Sequence, residues 1–109
     1  MITNQEIIIA AEKLTRQSGL DFFMDYQNQD ISYENFNDIF LSKPPSQIEI
    51  DGENKSDYSL AITYSDVYNE VIRNKRKVAY GTWEEQLEMQ FDGTWEAHVN
   101  SVKTQFPFI

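Results

Sequence analysis

The sequence predicts a mainly α protein, a small single domain over residues 1–109 that closes on a C-terminal αα-hairpin. Three observations carry that expectation. Thr3-x-x-Glu6 and Thr82-x-x-Glu85 are capping boxes, in which a hydroxyl and a carboxylate satisfy each other's orphan amides. Apolar residues follow each box at three- and four-residue spacing. Glycine or proline then stands where each apolar run stops.

The first element is a helix over about residues 4–18. Ile7, Ala11 and Leu14 share one face and Gly19 supplies the left-handed stop. Leu20 to Tyr26 is aromatic and reads equally as helix or strand. Ser32 is the next N-cap, with Ile31 and Phe36 placed as a hydrophobic staple. Phe36, Ile39 and Phe40 then form the buried face of a short helix that ends before Pro44-Pro45.

Residues 42–57 read as a connector with little regular structure, because two prolines open it and Asp51-Gly52 is a turn signal. Ile48-Glu49-Ile50 alternates as an edge strand does. A short β-hairpin within residues 47–63, pairing it with Leu60-Ala61-Ile62, is the one sheet element this pattern allows.

In the second half, Ser65 caps a helix with Val67, Val71 and Val78 on one face, and Gly81 ends it. The domain thus divides into an acidic helical part over 1–41, the connector, and a helical part over 58–109. Its hairpin runs from Thr82 to Phe106, broken at Asp92-Gly93-Thr94. The expected buried seam is Trp83, Leu87, Trp95, Val99, Val102 and Phe106.

Charge and composition narrow the function. Net charge is −9, and residues 1–70 carry all of it, with thirteen acids against four bases. A field of that sign repels phosphate backbones, so direct nucleic-acid binding is disfavoured and a basic partner is attracted. The absence of cysteine removes disulfides and thiolate chemistry. No apolar run approaches the ~20 residues of a membrane span, and no basic leader precedes Ile7-Ile8-Ile9, so the expectation is synthesis in a cytoplasm and no membrane partner.

No set of residues names a reaction, so catalytic, cofactor-binding and metal sites are all read as none. His98 has no carboxylate orienter or nucleophile at a useful spacing and reads as an ordinary helix-surface histidine. Glu84, Glu88 and Asp92 recur every four residues, which suits a solvated helix edge better than a metal site. Asp51, Glu53 and Asp57 lack the glycine position and closing glutamate of a calcium loop. The run Arg73-Asn74-Lys75-Arg76-Lys77 is a helix C-terminal charge cap before it is a phosphate site. Trp83, Trp95, Phe106 and Phe108 are the candidate protein-interaction residues, since aromatic anchors dominate binding hot spots.

The stretch from Arg76 to Phe91, with Tyr80, a turn and Glu85-Gln86-Leu87-Glu88-Met89, resembles the C-terminal segment of small tailed-phage proteins. Gly93-Thr94-Trp95-Glu96-Ala97-His98-Val99 and Val102-Lys103-Thr104-Gln105-Phe106-Pro107 are similar to the remainder of that segment. Gly81 replaces a common Pro, Glu88 an Asp and Phe106 a Tyr, and Phe108-Ile109 stands in place of a basic end. The resemblance covers residues 76–107, and extends upstream if Tyr64 to Ile72 is included. It implies a non-enzymatic virion or tail-associated protein: an adaptor, a tail or fibre component, or an assembly helper. Its partners would be other virion proteins, and it would reside in the particle after synthesis in the host cytoplasm. The alternative, motivated by the acidity of residues 1–70, is a phage-encoded inhibitor that binds a host or defence nucleic-acid enzyme by imitating DNA charge.

Overall fold

The computed structural model describes residues 2–26 and 29–109. Six α-helices and one two-stranded antiparallel sheet are found among them, in the order α1 (Asn4–Gln17), β1 (Phe23–Met24), α2 (Phe36–Ile39), β2 (Phe40–Leu41), α3 (Pro45–Ile50), α4 (Tyr64–Ala79), α5 (Trp83–Asp92) and α6 (Trp95–Gln105). A 3₁₀ turn, Lys55–Tyr58, lies between α3 and α4. The protein is mainly α, as its caps and spacing predict. The chain packs as two compact units, one up to Tyr68 and one from Asn69 to Ile109, with the boundary inside α4.

In the first unit, α1 starts where the capping box places it. The Thr3 hydroxyl accepts from the Glu6 amide at 3.2 Å, and the Glu6 carboxylate accepts from the Thr3 amide at 3.1 Å. Gly19, at φ 70°, ends the helix in a Schellman closure, with its own amide on the Arg16 carbonyl and the Leu20 amide on that of Thr15. Ile7, Ala10 and Ala11 are buried, as is Thr15, whose hydroxyl donates to the Ala11 carbonyl at 2.7 Å. Asn4, in the first turn, also holds the loop before α2: its side-chain oxygen accepts from the Ile31 amide at 3.0 Å.

The structure departs from the sequence pattern between Ser32 and Leu41. Ser32 does not cap a helix; Asn35 organises that turn, accepting from the Ser32 amide at 2.8 Å and donating to the Asp30 carbonyl at 2.7 Å. The helix therefore starts at Phe36, although Ile31 and Phe36 are both buried as a staple would have them. Phe40 is in a strand. The Phe40-Leu41 backbone pairs with Phe23-Met24 on one side and meets Ser59 and Leu60 on the other, and these sheet bonds outcompete another helical turn.

The connector and the hairpin over 47–63 are replaced by α3 and the 3₁₀ turn. Pro44 and Pro45 stand at the cap and first turn of α3, where a missing amide costs nothing. An edge strand would put Ile48 and Ile50 on one face; in the helix Ile48 is buried and Ile50 is 77% exposed. Lys43 then ties the segment together by pairing with Asp51 at 2.8 Å and with Glu53, while Tyr58 donates to Glu53. The Ser42 amide closes on the Tyr58 carbonyl at 2.7 Å.

Rings run through this unit as a ladder: Phe22 to Phe40 at 5.7 Å, Phe40 to Phe36 at 4.7 Å, Phe36 to Tyr64 at 5.9 Å and Tyr64 to Tyr33 at 6.3 Å. It passes from fully buried Phe40 to Tyr33, which is largely exposed. Thr63, not Ser65, caps α4; its hydroxyl accepts from the Asp66 amide at 3.1 Å and its amide donates back to the Asp66 carboxylate at 3.2 Å. Aspartate thus fills the place that glutamate fills in the other two boxes.

In the second unit, α5 and α6 contact each other as the hairpin expected from the sequence. The seam is narrower than the spacing suggests. Val102 is buried and Trp95, Val99 and Phe106 are half-buried, but Trp83 and Leu87 are exposed. On α5 the half-buried positions are Gln86 and Met89, which lie on a different face of the helix from Trp83 and Leu87. Val78, expected beside Val67 and Val71, is exposed as well, while those two are buried.

Candidate protein-docking surface

Both ends of α5 are held by hydrogen bonds. At its start the Thr82 hydroxyl accepts from the Glu85 amide at 3.2 Å, the Glu85 carboxylate accepts from the Thr82 amide at 3.2 Å, and the Gln86 side chain donates to the Gly81 carbonyl at 3.0 Å. The bonds from the Thr82 backbone and side chain hold the Glu85 carboxyl below the usual glutamate range. At the far end the Asp92 carboxylate accepts from the Thr94 amide at 3.1 Å and from its hydroxyl at 2.6 Å. No residue of α5 is buried. The helix is therefore fixed at its termini while its outer face has no cover within its unit.

That outer face is apolar. Trp83, Leu87 and Phe91 follow at four-residue steps, 70%, 43% and 96% exposed. They span about 12 Å of helix and, with two aromatic rings, present on the order of 400 Å² of apolar surface. Glu84, Glu88 and Asp92 are exposed along one edge of it, and α5 carries no base. The arrangement is an apolar stripe with an acidic border.

The four interaction candidates separate in the structure. Trp83 opens the stripe. Trp95 is half-buried, with its ring 5.8 Å from Tyr80 and 6.1 Å from His98. Phe106 is half-buried, and its carbonyl accepts from the Arg76 guanidinium at 2.8 Å. Phe108 lies beneath two cations, 4.0 Å from Arg76 and 5.6 Å from Arg73. Leu87 and Phe91 belong to the stripe as well, although neither is among the four candidates; their spacing puts them on one face without saying whether that face is covered.

The basic run has a local use. Arg73 pairs with Glu70 at 3.2 Å, and Arg73 and Arg76 both engage Phe108. Asn69 holds the backbone of Ile109 through its side-chain oxygen and nitrogen, at 2.9 and 3.1 Å. Residues 106–109 are thus laid along the later turns of α4 in their own unit. His98 is likewise occupied: its Nε2 lies 2.9 Å from the Ala79 carbonyl, so that nitrogen carries the hydrogen and satisfies an orphan acceptor at the end of α4.

Among the described residues no group of three or more His, Cys, Asp or Glu is placed to hold a metal ion, and no helix is long and apolar enough to cross a membrane. No protein-family model, curated protein or solved structure matches the chain.

Proposed function

We propose that this chain is a non-enzymatic docking adaptor whose contact face is the Trp83–Leu87–Phe91 stripe, and that its partner is a phage virion component of the tail, fibre or connector. The observation that carries the docking role is the exposure of three large apolar side chains in register on a helix capped at both ends. Rigid aromatic anchors lose little side-chain entropy on binding, which suits them to a contact patch. The acidic border selects the partner: an apolar face flanked by lysine or arginine. Two copies of α5 packed face to face would set Glu84, Glu85, Glu88 and Asp92 of each against the other, a repulsion that disfavours self-pairing. The virion assignment rests on the likeness of residues 76–107 to small tailed-phage proteins.

The acidic-inhibitor reading draws on the charge of residues 1–70, which hold thirteen acids and four bases. Ion pairs occupy part of that acidity: Glu12 is bound to Arg16, Asp25 to Lys55, and Asp51 and Glu53 to Lys43. Each pair subtracts from the unbroken array that duplex imitation requires.

Mass spectrometry of purified particles tests both halves, using the native chain and Leu87→Asp. The variant lies on an exposed face and should keep its stability within about 0.5 kcal/mol. The native chain is expected in particles and the variant is not. Absence of both would remove the virion partner. Equal incorporation would remove the stripe.

A further inference from the structure

The first unit contains a second surface feature, remote in sequence from α5. A cleft of about 450 Å³ is lined by Tyr33, Glu34, Phe36, Asn37, Thr63 and Tyr64, within the roughly 300–1,000 Å³ typical of ligand sites. Phe36 forms its buried floor. Tyr64 meets Phe36 and Tyr33 edge-on, at interplanar angles of 67° and 85°, so aromatic walls stand at an angle around the opening. Among the described residues the Glu34 carboxylate has no hydrogen-bond or ion-pair partner. Its charge nevertheless reaches the cleft: the Tyr64 phenol is raised above its ordinary range, first by burial, then by Tyr68 and by Glu34.

We propose that this cleft receives the guanidinium of an arginine side chain on a basic partner segment. Electron-rich ring faces with an open carboxylate at the rim attract a cation and repel phosphate. A planar guanidinium can stack on Tyr33 or Tyr64 while donating two parallel hydrogen bonds to Glu34, whereas an ammonium can act there only as a point charge. The chain shows the same chemistry within itself, where Arg76 lies 4.0 Å over the Phe108 ring. The field around the cleft has the matching sign, because twelve acids outnumber four bases in residues 1–68. Lys43 and Lys55, two of those four bases, are committed to Asp51, Glu53 and Asp25.

Amide chemical-shift mapping at low salt, where screening is weak, tests the assignment. The probe is a short Gly-Ser peptide bearing one arginine, with citrulline and lysine peptides as controls. The arginine peptide should move Tyr33, Glu34, Asn37, Thr63 and Tyr64, and the citrulline peptide should not. Glu34→Gln and Tyr33→Ala, both exposed and so expected to fold, should each weaken binding by about three- to tenfold. Glu49→Gln and Leu87→Asp should leave it unchanged. Shifts spread over the acidic surface, equal weakening by Glu49→Gln, or equal affinity for the lysine or citrulline peptide would each overturn the proposal.

Discussion

Helices α1 and α5 each open on a Thr–Glu capping box with nearly the same hydrogen-bond lengths, yet α1 buries Ile7, Ala10, Ala11 and Thr15 while α5 buries nothing. The cap is a local device, made within four residues and indifferent to what lies beyond the helix. Burial of a face depends on what the rest of the chain brings against it. Asn4 draws the Ile31 loop towards α1; the exposed face of α5 has no such partner within its unit. A cap therefore reports where a helix begins, and an uncovered apolar face on a well-capped helix reports a contact still to be made.

The largest effect should come from testing burial directly. Ile7→Ala removes a side chain that is 2% exposed and should cost about 2–4 kcal/mol in urea denaturation. Phe91→Ala, at a position 96% exposed, should stay within about 0.5 kcal/mol of the native chain. A loss above about 1 kcal/mol at Phe91 would mean that α5 is covered in solution. The contrast with α1 would then collapse.

Trp95→Ala comes next, at about 2–3 kcal/mol. That is less than a fully buried tryptophan loses, because the ring is half-exposed, but more than an exposed one because Tyr80 and His98 pack on it. Loss of the near-ultraviolet aromatic signal together with the stability change would place Trp95 in the packing of its unit. An unchanged midpoint would make it a second exposed anchor beside Trp83.

Much of the helical frame was legible in the sequence because caps, spacing and glycine stops are short-range signals. The boundaries of α1, α5 and α6 follow from Thr3, Thr82, Gly19 and Gly93. The region from Ser32 to Tyr58 was not legible in the same way. Its turn is set by Asn35 reaching back to Ser32 and Asp30, and Phe40-Leu41 is drawn into a sheet by partners at Met24 and Ser59. Ile48-Glu49-Ile50 satisfies both a strand and a helix pattern, and Pro45 at the first turn with Gly52 at the stop decides for helix. Of the interaction residues, Trp83 was visible as an aromatic behind a cap. Exposure of Leu87 and Phe91 was not, since periodicity assigns a face and tertiary packing decides its fate.

The caps themselves give a smaller and more symmetric effect. Thr3→Ala and Thr82→Ala should each cost about 1 kcal/mol, but through different observables. At α1 the loss should appear in global unfolding, because the helix is part of a buried core. At α5 it should appear mainly as faster amide exchange at Glu85 and Gln86, with the denaturation midpoint nearly unmoved. Equal global losses at both sites would show that α5 unfolds with its whole unit, and the difference between the two helices would then be one of exposure alone.

The smallest effect concerns the ion cluster that structures residues 43–58. The Lys43 hydrogen bond is the main cause holding both Asp51 and Glu53 below the usual carboxylate range, with Gln47 adding at Asp51 and Tyr58 at Glu53. A lowered folded pKa means that the stabilisation is present above the unfolded value, about 3.9 for Asp and 4.3 for Glu, and is lost as pH falls through the folded one. Lys43 is raised, first by its Asp51 bond and then by Glu53, so its share would be lost only in strong alkali. The stability gap between the native chain and Lys43→Met should therefore be constant from about pH 5 to 8 and close below about pH 4. Denaturation midpoints of the two chains across that range measure it. A gap that persists at pH 2 would assign the loss to the Lys43 stem packing on the Tyr58 ring, 4.8 Å away, and not to its ion pairs. No such acid step is expected for Phe91→Ala, because the stripe on α5 is held by no ion pair among the described residues.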